Sequence, residues 1–356
     1  MSGAFLIRPT HAGASAVGAI LALAALWTFA AAGIAAERLP ALGADPQAVT
    51  VSGVSSGGAM AVQFHVAHSG IVRGAGVIAA PPYYCAMGSV WTALNDCMAP
   101  SAWIKPPSTE FLASLAQRFE KSKAIDPLAG LAGAKIWLFT GTQDQTVAPQ
   151  IVAALRDFYR SVAPGADIAF VTDVPAGHAM VISGAGNACA TSEPPYINNC
   201  GYDAAGKLLG HMLGALAPPA DRGGRLVVFD QREFAGGTPV AISLADSGYA
   251  WVPRGCERGG CRVHVVFHGC RQNAQSVGER FVRGSGYNRW AETNRLVVLY
   301  PQTIARWGWA WGSFSFVFNP RGCWDWWGYT GPAYATKAGP QIRAVQAMLE
   351  RLASPR

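Results

Sequence analysis

The stretch AVTVSGVSSGGAMAVQF, residues 48–64, decides how this chain is read. Its first part, Ala48–Ser52, alternates in the manner of a short strand. Gly58–His68 has helical spacing, with Met60, Phe64 and Ala67 on one face. Between them stands Gly53-Val54-Ser55-Ser56-Gly57. A serine at a strand-to-helix junction, with glycine two residues away on either side, has the pattern of a nucleophile held on a strained turn. Side chains at the flanking positions would clash there, and the following helix aims its N-terminus at the reacting carbonyl. Only Ser55 has glycine on both sides, because Ser56 has Val54 in the equivalent place.

Working outward, further buried strands are predicted at Gly74–Ala79, Lys135–Thr140 (KIWLFT) and Asp167–Thr172 (DIAFVT). Ala204–Leu216 reads as a helix interrupted by glycines. The second half adds strands at Arg225–Phe229, Tyr249–Val252, Arg262–Phe267 and Leu296–Tyr300. The last two flank a helix around Asn288–Asn294, and Gln341–Leu352 closes the chain as an amphipathic helix. Strands alternating with helices predict an α/β fold, with a mostly parallel sheet covered by helices on both faces. No internal repeat or Ser/Thr/Pro-rich linker interrupts residues 37–356, which are read as a single catalytic domain without a separate binding module.

A nucleophilic serine needs a base, and the base needs an orienting carboxylate. In the order serine, acid, histidine, the best acid is Asp144 in KIWLFTGTQDQTV, just past the end of a buried strand. Asp126 and Asp173 are the other candidates, read as capping or surface charge. The best base is His178 in DIAFVTDVPAGHAM, on a loop that also follows a strand. His65 and His68 read as partly exposed residues of the helix after Ser55, His211 as a helix residue and His264 as a strand residue. His268, in VHVVFHGCRQN, is the rival base, but its His-Gly pair is also the mark of an oxyanion loop. The backbone N–H groups of Ser56 and Cys270 are therefore the expected oxyanion donors, with His268 shaping the turn.

The oxyanion loop normally precedes the nucleophile, whereas here it follows it by more than half the chain. The second half nevertheless reads strand, His-Gly-Cys loop, helix, strand, helix, the run expected just before a nucleophile elbow. Joining the C-terminal helix to the N-terminal strand restores the usual order. The expectation is a circularly permuted α/β-hydrolase fold, tolerable where the termini lie close together.

The chain has 356 residues, with 28 Lys and Arg against 21 Asp and Glu, for a net charge of +7. The charges are scattered, without a basic block, which argues against a nucleic-acid partner. No charged residue lies between Arg8 and Glu37, and the apolar run ends in small residues, so residues 1–36 read as a cleaved export signal. A secreted enzyme, extracellular or periplasmic, with no stable membrane association after cleavage, is expected. The eight cysteines are then expected as disulfides. Roughly a hundred pairings are open to them. Short loops favour Cys85–Cys97, Cys189–Cys200 and Cys256–Cys261, which leaves Cys270–Cys323 by elimination. No CxxC pair or Cys/His cluster points to a metal, and no cofactor is expected.

Aromatic residues crowd the segment RWGWAWGSFSFVFNPRGCWDWWGYTG, which carries Trp307, Trp309, Trp311, Trp324, Trp326 and Trp327. About half are expected in the core. The exposed remainder would form a flat apolar patch suited to a solid or polymeric substrate.

Taken together, VSGVSSGGAMAVQ, GTQDQTV, PAGHAM, VVFHGCRQ and GCWDWWGY resemble the single-domain, circularly permuted poly(3-hydroxybutyrate) depolymerases, and the likeness runs nearly the length of residues 37–356. The resemblance implies a triad of Ser55, Asp144 and His178, oxyanion donors at Ser56 and Cys270, and an aromatic-lined crevice to which Trp307 and Trp326 would contribute. It implies hydrolysis of short-chain polyhydroxyalkanoates to oligomers and monomers through an acyl-enzyme on Ser55, by a chain acting as a monomer on a polyester substrate. The alternative activity is that of an esterase for soluble hydroxybutyrate oligomers or for feruloyl or acetyl esters.

Overall fold

The structure, a computed structural model, describes residues 36–99, 105–221, 223–309 and 316–356. The expected export signal thus falls, apart from Ala36, outside the described residues, as does Trp311. The strands are β1 (Val49–Val54), β2 (Val72–Ile78), β3 (Lys135–Phe139), β4 (Asp167–Val171), β5 (Met180–Ile182), β6 (Asn187–Ala188), β7 (Ile197–Asn199), β8 (Arg225–Asp230), β9 (Ser247–Val252), β10 (Arg262–Phe267), β11 (Leu296–Tyr300), β12 (Arg306–Trp309) and β13 (Phe316–Asn319). The helices are α1 (Ser56–Ala67), α2 (Val90–Asn95), α3 (Thr109–Lys121), α4 (Pro149–Val162), α5 (Ala204–Leu213), α6 (Ala274–Val277), α7 (Arg280–Gly284), α8 (Tyr287–Thr293) and α9 (Pro340–Ala353).

Eight strands form one sheet in the order β4-β3-β2-β1-β10-β11-β9-β8. From β4 to β11 all neighbours are parallel; β9 runs antiparallel to both β11 and β8. The central strands are valine-rich and, apart from Arg262 at the start of β10, buried throughout, as strands covered on both faces must be. Helix α1 packs on β1, β2 and β10, and α5 packs on β2 and β3. This is the expected α/β architecture. Helix α5 is shorter than its apolar pattern suggested. It starts at Asp203, whose side chain accepts the Gly206 N–H, and stops at Leu213 because Gly214 turns to φ 84°.

The nucleophile strand β1 lies between β2 and β10, so the two halves of the chain meet along the β1–β10 register, Gly53 opposite Phe267. The end of α9 reaches the segment just before β1. The amides of Leu42 and Ala44 bond to the Leu352 carbonyl at 3.1 and 3.0 Å, and that of Gly43 bonds to Ser354 at 3.0 Å.

Further features differ from the sequence reading. Helices α2, α3, α4, α6 and α7 and strands β5, β6, β7, β12 and β13 are additional, although Ser108 caps α3 and Pro149 opens α4. Helix α1 does not have one buried face: every residue in it is buried, His65 included, and His68 at its end is buried too. These histidines are not partly exposed: His65 packs against Tyr159 of α4, its Nδ1 3.1 Å from the Tyr159 hydroxyl, and His68 lies against Phe64, while another side of α1 is covered by the chain near Asp325. Gln63 there donates to the Asp325 carbonyl at 2.9 Å.

Candidate active site

Ser55 stands at the junction of β1 and α1 with φ 57° and ψ −123°, a conformation costly for any side-chain-bearing residue. Two bonds hold it there. Its N–H donates to the Ile78 carbonyl, and its carbonyl accepts from the Ala59 N–H, both at 2.9 Å. The flanking glycines are steric requirements. A Cβ on Gly53 would stand 2.2 Å from the Gly57 oxygen, and one on Gly57 would stand 2.2 Å from the Phe267 oxygen. The second approach sets the start of α1 directly over the end of β10, and so brings the His268-Gly269-Cys270 loop beside Ser55.

Asp144 lies in the turn after β3. Its Oδ1 accepts the N–H groups of Thr146 and Val147 at 2.8 and 2.9 Å, and its Oδ2 accepts from His178 Nδ1 at 2.8 Å. The carboxylate is buried, so each of these charge-assisted bonds acts in a low-dielectric setting. The facing carboxylate fixes the proton on Nδ1 and leaves Nε2 of His178 as the basic nitrogen. Gly141 permits the acid and base loops to touch, since a Cβ there would lie 2.1 Å from the Ala176 oxygen. The His178 N–H donates to Ser192 Oγ at 2.9 Å, and the Gly177 N–H to the Cys189 carbonyl. The Cys189–Cys200 disulfide ties down this second support.

The other acids are occupied elsewhere. Asp126 pairs with Lys337 at 2.9 Å, and Asp173 is exposed. His268 is buried with both ring nitrogens engaged. Nδ1–H donates to the Gly269 carbonyl at 2.8 Å, and Nε2 accepts the Thr303 N–H at 3.1 Å. Burial lowers its pKa to about 4. His264 is enclosed between Thr50 and Ser52, at 2.8 Å from each, below the elbow, and burial lowers it to about 3.

Gln272 organises the loop after β10. Its Oε1 accepts the Gly269 N–H at 2.7 Å, and its amide donates to the Tyr196 carbonyl at 2.8 Å. Cys270 is bonded to Cys323. Its N–H has no hydrogen-bond partner among the described residues. The Ser56 side chain is engaged away from its own backbone, accepting the Trp324 N–H at 3.3 Å. Cys85–Cys97, Cys189–Cys200 and Cys256–Cys261 pair as loop length favoured, and Cys270–Cys323 as elimination left it.

Ser55, His178 and Cys270 line one cleft of about 230 Å³ together with Met98, Arg271 and Arg321. Met98 and Ser192 carried no motif in the sequence, whereas Arg271 lies inside VVFHGCRQ and Arg321 in the aromatic-rich segment, neither of them assigned a role there. Gln272 did lie inside VVFHGCRQ, but its bonding to a loop 76 residues away is a tertiary fact. The tryptophans divide between surface and core. Trp307 and Trp309 are 73% and 68% exposed on the β12–β13 ribbon, edge-on to Phe318 and Phe316. Trp324 is fully buried, and Trp326 is 7% exposed against Trp327.

No family model matches the chain. It is 42% identical over 348 residues to the poly(3-hydroxybutyrate) depolymerase of Delftia acidovorans, covering 96% of this chain and 66% of that protein. The chain thus spans about two thirds of that relative's length. It is 36% identical over 344 residues to the polyhydroxybutyrate depolymerase of Talaromyces funiculosus, covering 93% of this chain and 97% of that one. The crystal structure of a PHB depolymerase from Penicillium funiculosum superposes with a TM-score of 0.78 at 32% identity, covering 89% of this chain and 98% of that one. A PHB depolymerase complexed with an R3HB trimer gives the same TM-score and coverage at 31% identity. With one relative matched over nearly its whole length and a solved member of the same fold, the chain belongs to the polyhydroxybutyrate depolymerases, which are ester-hydrolysing enzymes.

Proposed function

We propose that this chain hydrolyses poly(3-hydroxybutyrate) and related short-chain polyesters through an acyl-enzyme on Ser55. The observation that carries the reading is the 2.8 Å bond between His178 and Asp144, in a cleft shared with a serine on a strained elbow. In this mechanism Nε2 of His178 takes the Ser55 proton as Oγ attacks the ester carbonyl. The N–H groups of Ser56 and Cys270 receive the oxyanion, and Asp144 stabilises the imidazolium. The tetrahedral adduct expels the hydroxyacid end as an alcohol, protonated by His178. Water, deprotonated by the same nitrogen, then releases the acyl group as a carboxylate.

Circular permutation is supported by the strand order and by the bonds from residues 42–44 to the end of α9. Four disulfides support export to an oxidising compartment. The ribbon bearing Trp307, Trp309, Phe316 and Phe318 supports adsorption to an apolar polymer surface, with about 1–3 kcal/mol per fully buried large side chain. Trp326 is buried against Trp327 and offers no such surface.

The test is the clearing of a turbid poly(3-hydroxybutyrate) suspension, with product analysis against soluble oligomers and feruloyl and acetyl esters. Hydrolysis of polymer and its loss in Ser55→Ala are expected. Activity surviving in Ser55→Ala sinks the triad, and activity confined to soluble esters sinks the polymer reading. His178→Ala is expected to abolish turnover, while His268→Ala mainly lowers stability. The reverse result would exchange their roles.

A further inference from the structure

The cleft that holds Ser55 and His178 is also lined by two arginines, Arg271 and Arg321. They come from distant parts of the chain but are tied together. The Arg271 N–H donates to the Arg321 carbonyl at 2.8 Å, and the adjoining Cys270–Cys323 disulfide closes the same junction. Arg271 holds φ 60°, a turn that fixes the direction in which its side chain leaves the loop. Among the described residues neither arginine forms an ion pair or donates a side-chain hydrogen bond. All aspartates and glutamates lie among the described residues. The one carboxylate at the site, Asp144, is already saturated by His178 and two backbone amides. Two cations without counter-charge therefore border a site whose proposed substrate is a neutral ester.

The proposed reaction supplies a counter-charge. Each ester that is hydrolysed leaves one new alcohol end and one new carboxylate end. In a linear oligomer the terminal carboxylate sits one hydroxyacid unit beyond the last ester carbonyl, on the leaving-group side. Arg271 directly follows Cys270, the proposed oxyanion donor, so its guanidinium is anchored one residue from the reacting carbonyl oxygen. Guanidinium groups bind carboxylates in a bidentate fashion and more strongly than a neutral donor does.

We propose that Arg271 and Arg321 form a subsite for the free carboxylate end of linear hydroxyacid oligomers, which directs cleavage to the last ester bond of released fragments. The proposal rests on the polyester reading above and extends it from the polymer to its products.

The test compares kcat/KM for the linear (R)-3-hydroxybutyrate trimer as free acid and as methyl ester. It uses the wild type, Arg271→Gln, Arg321→Gln and the double variant. The wild type is expected to favour the free acid by about tenfold or more, a preference that shrinks as salt is added. Each single variant should lose part of this ratio and the double variant nearly all of it. Equal rates on both trimers in the wild type overturn the proposal, as does a preference that persists in the double variant. If the variants fail to fold, the wild-type ratio and its salt dependence still decide. A wild type that clears a poly(3-hydroxybutyrate) suspension but cleaves neither trimer also overturns the subsite, whereas one that cleaves neither suspension nor trimer refutes the polyester reading itself.

Discussion

His178 Nδ1 lies 2.8 Å from Asp144 Oδ2, and the other oxygen of that carboxylate is taken by two backbone amides. The carboxylate is thus oriented by the turn after β3 before the histidine meets it. Asp144→Asn keeps the shape but replaces an acceptor by an amide. The amide nitrogen must face either His178, which selects the wrong tautomer, or two N–H donors, which repel it. We expect kcat on a soluble butyrate ester to fall about 10³–10⁴-fold with folding preserved. A loss below tenfold would remove Asp144 from the proposed triad.

Ser55 is strained at φ 57°. A strained residue of this type costs about 1–3 kcal/mol, and glycine relieves it at about 0.5–1 kcal/mol of backbone entropy. Ser55→Gly is therefore expected to be more stable than Ser55→Ala by about 1 kcal/mol, both being inactive. Urea denaturation of the two variants decides, and equal midpoints would mean that the elbow relaxes without the glycine.

The elbow and the meeting of Asp144 with His178, the proposed acid and base, were legible because each residue follows a strand with an apolar run: VTVSGV before Ser55, KIWLF before Asp144 and DIAFV before His178. The His268 loop was legible for the same reason. The cleft walls were not, because Met98, Arg321 and Ser192 come from irregular segments that take up their places only through tertiary contacts. The burial of His65 and His68 was hidden for another reason. A helix covered on its outer sides by α4 and by the chain near Asp325 carries no polar face, and AMAVQF reads the same whether its cover is solvent or chain. Trp307 and Trp326 illustrate a further limit. They belong to one aromatic-rich stretch, yet Trp307 is exposed on the β12–β13 ribbon and Trp326 is buried against Trp327, a division only the tertiary fold makes.

Cys270 and Cys323 close a 53-residue separation, whereas Cys256 and Cys261 close one of five. Loop-closure entropy predicts stabilisation of about 4 and about 2 kcal/mol respectively. Paired Cys→Ser variants should rank in that order by thermal denaturation. Only loss of Cys270–Cys323 should also lower kcat, because it releases the Cys270 amide from its place beside Ser55. A kcat unaffected by its removal would show that the Gln272 bonds alone hold the loop.

Four histidines lie buried away from solvent. Burial lowers His65 and His264 from 6.5 to about 3, and His68 and His268 to about 4. Because the folded values are depressed, the unfolded chain binds protons first as the medium is acidified. Stability is intact above about pH 6.5. It is lost progressively as the pH falls from there toward 4, by about 1.4 kcal/mol per pH unit for each histidine that remains neutral in the fold. Denaturant titrations at pH 7 and pH 5 should therefore differ by several kcal/mol. His264→Gln, which removes one such group but retains hydrogen-bonding atoms between Thr50 and Ser52, should be less stable at pH 7 yet have a shallower pH dependence. A free energy of unfolding that stays flat between these two pH values would mean that the four imidazoles reach solvent or find counter-charges in the folded chain.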